Sequence, residues 1–191
     1  MLFGDIIRWH GHKSPARTAV ISGDRVYSYG FLLERINRLA NAMAGLGAPG
    51  DRVGILAENL PEYIEAYYGV PDAGMALNLL NYRLHPKEWA WILNNSEASI
   101  LIVQEKFLEQ IEAELPEIPS VKHVIVIGEG SKKYPSYEDV LGAASPIATA
   151  RNINEDDTAW LVYTSGTAPL HHRGSACTGF DIQQCDTTGM P

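Results

Sequence analysis

The stretch Trp160-Leu-Val-Tyr163 runs directly into Thr164-Ser165-Gly166-Thr167, so a short apolar segment ends in a turn of hydroxyl side chains and glycine. We predict a buried strand over 158–163. Ligands of α/β sheets bind at the carboxyl ends of strands. Hydroxyl groups can donate to an anion, and glycine lets backbone N–H groups approach it. We therefore predict that Thr164, Ser165, Gly166 and Thr167 bind phosphate; the alternative is an ordinary polar turn.

The sequence changes character after Thr167. It continues Ala168-Pro-Leu-His-His172 instead of adding the second glycine and the lysine of a Walker A loop. We divide the chain into a folded part, 1–167, and an aberrant tail, 168–191. The tail has few large apolar residues and these follow no period, so we expect it to be disordered.

The cysteines and the candidate metal ligands fall almost entirely in this tail. Residues 1–167 contain no cysteine, so we predict no disulfide framework for the folded part. The spacing of His171, His172, Cys177 and Cys185 matches no established zinc site, and we predict no metal site. His10-Gly-His12 we interpret as an exposed polar segment.

Upstream of the turn, strand patterns alternate with helical patterns. We predict strands at 52–57, 75–80, 98–103, 121–127 and 158–163, preceded by a hairpin at 18–22 and 25–28. We predict helices from Ser28 to Gly47, from Pro61 with its tyrosines on one side, from Pro86, over 107–115 and over 137–141. This order predicts an α/β fold with a largely parallel sheet flanked by helices.

Several function classes are disfavoured. A net charge of −8 without a basic stripe argues against nucleic acid as a partner. No apolar run is long enough to cross a bilayer, and the N-terminus has no signal-peptide pattern, so we expect a cytoplasmic protein. Gly45-Leu-Gly47-Ala-Pro-Gly50 matches a dinucleotide fingerprint in spacing only. It follows a helix and precedes a strand, so we interpret it as a helix end and a turn.

Several blocks, in order along 1–167, carry a family resemblance: Tyr27-Ser-Tyr-Gly-Phe-Leu-Leu33, Asn37-Arg-Leu-Ala-Asn41, Gly50-Asp-Arg-Val53, Asn59-Leu-Pro-Glu62, Leu79-Leu-Asn-Tyr-Arg-Leu84 and Tyr163-Thr-Ser-Gly-Thr167. Together they resemble the N-terminal part of the AMP-forming acyl-CoA synthetases, of the adenylate-forming or AMP-binding superfamily. The resemblance implies an incomplete large domain, in which the turn at Thr164–Thr167 opens the phosphate loop. No other site residue carries over, and none is assigned as catalytic.

The resemblance also implies ATP and Mg²⁺ as cofactors, and a carboxylic acid and coenzyme A as partners. The Leu-Asn-Tyr-Arg-Leu block favours fatty acids. The family loop continues Thr-Gly-x-Pro-Lys-Gly, whereas this chain has His172 at the position of the lysine. We expect this chain alone to be inactive and to bind neither cofactor productively, and a frameshift near Ala168 is our hypothesis for the change.

Two other readings stay open. One is a non-catalytic fragment that acts as an interaction module, and the other is a product without function. We also expect self-association through sheet that the missing part of the domain would cover.

Overall fold

The computed structural model describes residues 2–164 and, as backbone only, the strand at 172–177. Three of the four predicted phosphate-binding residues, Ser165, Gly166 and Thr167, lie outside the described residues, as do His171 and Cys185.

Helices and strands alternate along the chain as the sequence pattern predicts. The helices are α1 Gly4–Lys13, α2 Tyr29–Leu46, α3 Pro61–Asp72, α4 Pro86–Asn95, α5 Glu105–Glu112 and α6 Tyr137–Ala143, with a 3₁₀ turn at Leu115–Glu117. The strands are β1 Thr18–Ser22, β2 Arg25–Ser28, β3 Arg52–Leu56, β4 Ala76–Leu79, β5 Ala98–Gln104, β6 His123–Ile127, β7 Thr158–Thr164 and β8 His172–Cys177.

The main sheet confirms the predicted α/β fold. Its strand order is β6-β5-β3-β4-β7-β8; the first five strands are parallel and β8 is antiparallel to β7. From β3 the chain moves to β4 on one side and then crosses back to β5 on the other. Right-handed crossovers in opposite directions place their helices on opposite faces of the sheet.

The strands confirm this two-sided covering by the alternation of their side chains. On one face, strand residues such as Val53, Ile55 and Ile102 pack against α2, α3 and α6. On the other face, Leu56, Leu101 and Val103 pack against α4 and α5. A parallel sheet buried on both faces needs such apolar strands, which is why they were readable from the sequence.

The N-terminal helix α1 was not predicted. Its buried residues, Gly4, Ile7 and Gly11, follow helical spacing, but two of the three are glycine, so the sequence shows little of the face by which α1 packs on α2. His10 and Gly11 belong to this helix instead of to an exposed polar segment. The His10 ring stacks on Tyr29 at 4.7 Å, and a Cβ on Gly11 would lie 2.6 Å from Leu33 Cδ2. The close approach of α2 therefore requires glycine here.

Helix α3 begins at Pro61 as predicted. Tyr63, Ile64, Tyr67 and Tyr68, which the sequence analysis placed on one side of this helix, are half-buried. The fully buried face carries Glu62, Glu65, Ala66 and Gly69. Because carboxylates are rarely buried without a partner, the sequence pattern alone does not indicate this face.

Strand β8 falls within the predicted tail and pairs with β7 from Thr158↔Cys177 to Thr164↔His172. The division of the chain at residue 167 stays a prediction. Within the described part of the chain, no helix is both long and apolar enough to cross a membrane.

The packing of α3 on α2 gives a test with two glycines. A Cβ on Gly69 would meet Leu39 Cβ at 3.1 Å and the Ile36 carbonyl oxygen at 3.2 Å, whereas a Cβ on Gly45 in α2 meets nothing within 4 Å. We expect Gly69→Ala to lower the free energy of unfolding by about 1–3 kcal/mol through overpacking. Gly45→Ala should raise it by up to about 1 kcal/mol through helix propensity. Urea unfolding measures both, and equal effects would contradict the described helix contact.

Candidate functional site

The carboxyl end of β7 is where the predicted phosphate-binding turn begins. Strand β7 runs parallel to β4, with Leu77↔Trp160 and Leu79↔Val162 as partners. The backbone of Thr164 is the last part of β7 and lies opposite His172 of β8. The structure thus places the backbone of Thr164 at the carboxyl end of a parallel strand, the end at which α/β sheets commonly bind ligands. Phosphate binding by Thr164, Ser165, Gly166 and Thr167 stays a prediction.

The side chain before the turn ties the end of β7 to helix α4. The Tyr163 hydroxyl donates a hydrogen bond to Asn95 Oδ1 at 2.7 Å, and its ring meets Trp91 edge-on with 6.0 Å between centroids. Trp160, three residues earlier, faces the other side of the sheet and donates from Nε1 to the Tyr67 carbonyl at 3.1 Å. Contacts on both faces therefore fix the direction in which the chain enters the turn.

A second loop, 80–84, follows the neighbouring strand β4 at the same edge. Trp89 Nε1 donates to the Asn81 carbonyl at 2.9 Å, and the Arg83 N–H donates to Asn81 Oδ1 at 3.0 Å. The Arg83 guanidinium lies over the Tyr82 ring, 5.5 Å from its centroid. This is the Leu-Asn-Tyr-Arg-Leu block, and sequence reasoning did not assign it to the site. The feature that would assign this loop to the site is its position after β4, the strand adjacent to β7.

Farther along this edge, beyond β3, lies a buried ion-pair cluster that joins α2, α3 and α6. Glu65 is fully buried, and Arg35 donates to it from Nε at 2.6 Å and from Nη2 at 3.1 Å. Tyr137 donates its hydroxyl to Glu65 Oε2 at 2.9 Å. Arg35 also makes a bidentate contact with Glu138, with distances of 2.6 and 2.8 Å. Every oxygen of the buried carboxylate is thus satisfied by a donor.

The acid–base properties of this cluster follow from burial and from pairing. Burial raises the pKa of the Glu65 carboxyl, and the hydrogen bonds from Arg35 and Tyr137 oppose that rise. Burial also raises the pKa of Tyr137 well above its ordinary value. The hydrogen bond from Arg35 lowers the pKa of the more exposed Glu138. For Arg35, burial lowers the pKa, but the bonds to Glu138 and Glu65 outweigh it and the net direction is upward.

A small cavity of about 320 Å³ adjoins the cluster at the carboxyl ends of β5 and β6. Arg25 spans it to Glu62 with a distance of 2.5 Å, and Gln104 and Glu138 also line it. Two carboxylates against one guanidinium would repel a triphosphate. We therefore interpret this cavity as part of the packing of the β1–β2 hairpin on α3, not as a nucleotide site.

The donor set bears on which cofactor the described residues can hold. Among residues 2–164 there is no cluster of three or more His, Cys, Asp or Glu side chains that could hold a metal ion. The predicted turn offers hydroxyls and backbone amides, which fit the oxygens of a phosphate. The position of Thr164 at a strand end is consistent with that use.

A family model described as "AMP-binding enzyme" matches residues 7–169 of the chain. The match covers the whole parallel sheet and ends two residues after Thr167. It agrees with the resemblance drawn from the sequence blocks.

Two curated relatives illustrate the range of similar proteins. A peroxisomal acetate/butyrate–CoA ligase of Arabidopsis thaliana is 34% identical over 187 residues, which cover 84% of this chain and 33% of that protein. A long-chain-fatty-acid–CoA ligase of Thermus thermophilus is 36% identical over 146 residues, which cover 75% of this chain and 26% of that protein. The chain thus spans about a third or less of these relatives' length.

Two solved structures share the fold of this chain. The anthranilate CoA ligase AuaEII, in complex with anthranoyl-AMP, superposes with a TM-score of 0.89 at 27% identity, covering 93% of this chain and 35% of that one. The N-terminal domain of FACL13 from Mycobacterium tuberculosis, with an inhibitor bound, superposes with a TM-score of 0.84 at 26% identity, covering 93% of this chain and 44% of that one. The chain therefore has the fold of the first part of such enzymes.

The buried cluster gives a second test. Arg35→Leu leaves the Glu65 carboxylate buried without its cation, so we expect the free energy of unfolding to fall by about 3–5 kcal/mol at neutral pH. A buried carboxyl with a raised pKa binds its proton more readily in the folded state, so the deficit should narrow as the pH is lowered toward mildly acidic values. Urea unfolding as a function of pH measures this.

Glu138→Gln is the matched control, because the Glu138 side chain is 61% exposed and also pairs with Arg35. We expect it to cost no more than about 1 kcal/mol. A deficit of Arg35→Leu that is constant with pH would show that Glu65 is not the group left uncompensated.

Proposed function

The chain belongs to the AMP-binding enzyme family, and from that premise we propose that it is the N-terminal part of an ATP-dependent acid–thiol ligase. The whole enzyme would activate a carboxylic acid with ATP and transfer the acyl group to coenzyme A. The position of Thr164 at the carboxyl end of β7 carries the proposal, because the predicted phosphate-binding turn starts there. Both curated relatives named above are CoA ligases, which supports the reaction class.

The proposed reaction has two steps. A carboxylate oxygen of the acid attacks the α-phosphorus of ATP, the bond from that phosphorus to the bridging oxygen breaks, and pyrophosphate leaves. The thiol sulfur of coenzyme A then attacks the acyl carbon, AMP leaves, and the thiol proton passes to solvent. The first step concentrates negative charge on the leaving pyrophosphate, so its rate depends on donors and cations around the β- and γ-phosphates. Mg²⁺ would supply part of that charge in the whole enzyme.

In this proposal the turn holds the leaving group. The hydroxyls of Thr164, Ser165 and Thr167 and the N–H groups around Gly166 would donate to phosphate oxygens. Tyr163 would orient the turn through its hydrogen bond to Asn95 and its contact with Trp91. The turn supplies hydroxyls and amides without a cation, and His172 stands where the family loop has lysine. We therefore propose that the 191-residue polypeptide does not by itself complete the reaction.

We propose a fatty acid as the acyl substrate. The Leu79–Leu84 block and the name of the Thermus thermophilus relative support this choice. The other relative is named for acetate and butyrate, so the chain length of the acid is open within the proposal. A cytoplasmic location stays a prediction.

The second candidate function is a non-catalytic interaction module. It is favoured by one feature of the sequence, the replacement of the loop lysine by His172. In that case the α/β fold would be kept for its surfaces and not for nucleotide chemistry.

The inactivity of the isolated chain can be measured directly. We expect no acid-dependent pyrophosphate release when the purified chain is mixed with ATP, Mg²⁺ and a panel of acids from acetate to palmitate. The reason is that the chain covers only a third of the relatives' length and offers no loop lysine. Turnover above that of a mock purification would contradict this part of the proposal.

The role of the turn can be tested in a chimera in which residues 1–167 replace the matching segment of the Thermus thermophilus ligase. Combined Ser165→Ala and Thr167→Ala remove hydrogen bonds to charged oxygens, each worth about 1.5–3 kcal/mol. We expect the adenylation step to slow by at least about a hundredfold. The thiol step should be nearly unchanged, because pyrophosphate has left before the thiol attacks.

Single-turnover assays separate the two steps. Combined Thr18→Ala and Ser22→Ala in β1 make the same chemical change away from the site and should leave both rates intact. Equal slowing of both steps by the turn variant, or no slowing, would show that the turn is structural.

A further inference from the structure

A groove of about 690 Å³ lies along strand β6, at the opposite side of the sheet from β7 and the predicted phosphate-binding turn. One wall is formed by the C-terminal end of α2, including Gly45 and Leu46, and by Val140 and Ala143 of α6. Leu115 and Tyr134 line the other wall. The five consecutive residues 121–125 line it as well, so the groove follows the first part of β6.

Strand β6 is the outermost strand of the sheet, since only β5 pairs with it as a neighbouring strand in the described part of the chain. Near its end, Val126 donates its N–H outward to the Pro135 carbonyl at 3.0 Å and bridges to Ser136. Alternate residues of a strand direct their backbone groups to the same edge. Val124 therefore presents its N–H and C=O toward the groove, where an added strand would bind them.

Besides Tyr134, the titratable residues that line the groove are Lys122, His123 and Lys133, which are all of basic types. Lys133 is already paired with Glu112. This lining contrasts with the net charge of −8 for the whole chain. A partner with a carboxylate is therefore favoured at this groove over a basic one.

The shape of the groove decides between kinds of partner. The edge of β6 lies between two walls, so the edge of a second folded sheet is hindered from reaching it, whereas a single extended segment fits. A fatty chain would fill the apolar walls but leave the backbone groups of Val124 without partners. An extended peptide can pack apolar side chains on both walls, form hydrogen bonds with Val124 and place carboxylates near Lys122.

We propose that this groove is a docking site for an extended peptide segment of another protein, with apolar side chains at alternate positions and carboxylates between them. The segment would add a strand beside β6, with its apolar side chains between α2 and α6 on one side and Leu115 on the other. Its carboxylates would lie near Lys122.

The test uses the full chain and a fluorescein-labelled peptide of about seven residues, with valine alternating with glutamate and threonine. We expect saturable binding by fluorescence anisotropy. The same peptide with N-methyl groups on the backbone amides that would face β6 should bind at least about tenfold more weakly, because it cannot form the strand bonds. A peptide with lysine in place of glutamate should also bind more weakly.

Matched variants locate the site. Gly45→Trp places a large side chain in the groove, and Gly142→Trp makes the same change on α6 outside it; a Cβ at either position meets nothing within 4 Å. Only Gly45→Trp should abolish binding. Lys122→Glu should weaken binding, with the exposed Lys87→Glu as its control. Circular dichroism and urea unfolding confirm that each variant is folded.

Several results would overturn the proposal. They are the absence of saturable binding, equal affinity for the N-methylated peptide, equal loss with Gly142→Trp, and displacement of the peptide by decanoate, which would indicate a lipid site. A dimer that Gly45→Trp dissociates would assign the groove to a second copy of the chain. Peptide binding that appears only after residues 178–191 are deleted would assign it to the chain's own C-terminal segment.

Discussion

The rest of the structure depends on the burial of strand β3 on both of its faces. Val53, Ile55 and Leu56 are fully buried, and Gly54 lies so close to Leu93 that a Cβ would be 2.6 Å from its Cδ2. A strand of this kind requires helices above and below it. The chain supplies helices on both faces because β4 is added on one side of β3 and β5 on the other. Because β3, β4 and β7 are parallel, the loops after them leave from one edge of the sheet, where Thr164 is found.

Charged and polar side chains have two different roles at that edge of the sheet. On the β6 side, Arg35, Glu65 and Tyr137 are buried together, and Arg35 and Tyr137 both donate hydrogen bonds to Glu65. Such a pair holds helices in register and leaves no donor for a ligand. On the β7 side the described contacts are those of Tyr163 with Asn95 and Trp91, which orient the strand end. The strongest perturbations of pKa values therefore mark packing here, and the weaker polar contacts mark the candidate site.

The sequence predicted those elements whose local signals agree with their burial. Helix α2 has its cap at Ser28, whose side chain accepts from the Phe31 N–H, and its apolar stripe from Leu32 to Met43 is buried. Helix α1 and the inward carboxylates of α3 escaped prediction, because their burial depends on partners distant in the chain: Arg8 reaches Asp72, and Arg35 reaches Glu65. The spacing of apolar residues within one helix gives no information about an ion pair with a distant element. The strand end at Thr164 was predictable from the apolar run before it, and its use as a phosphate site stays a prediction. The position of the loop at 80–84 beside that strand end needed the strand order.

The pairing of Thr164 with His172 constrains how the proposed phosphate loop can work. The two backbones lie side by side in neighbouring antiparallel strands, so residue 172 lies beside the end of β7 at which the predicted turn begins. A lysine at position 172 would bring a full positive charge to that strand end, whereas an ordinary histidine is mostly neutral at neutral pH. In the proposed mechanism, the hydroxyls and amides of the turn would position phosphate oxygens without supplying the charge that adenylation draws upon. Under that proposal, the residue at position 172, and not the parallel sheet beneath the turn, limits the reaction.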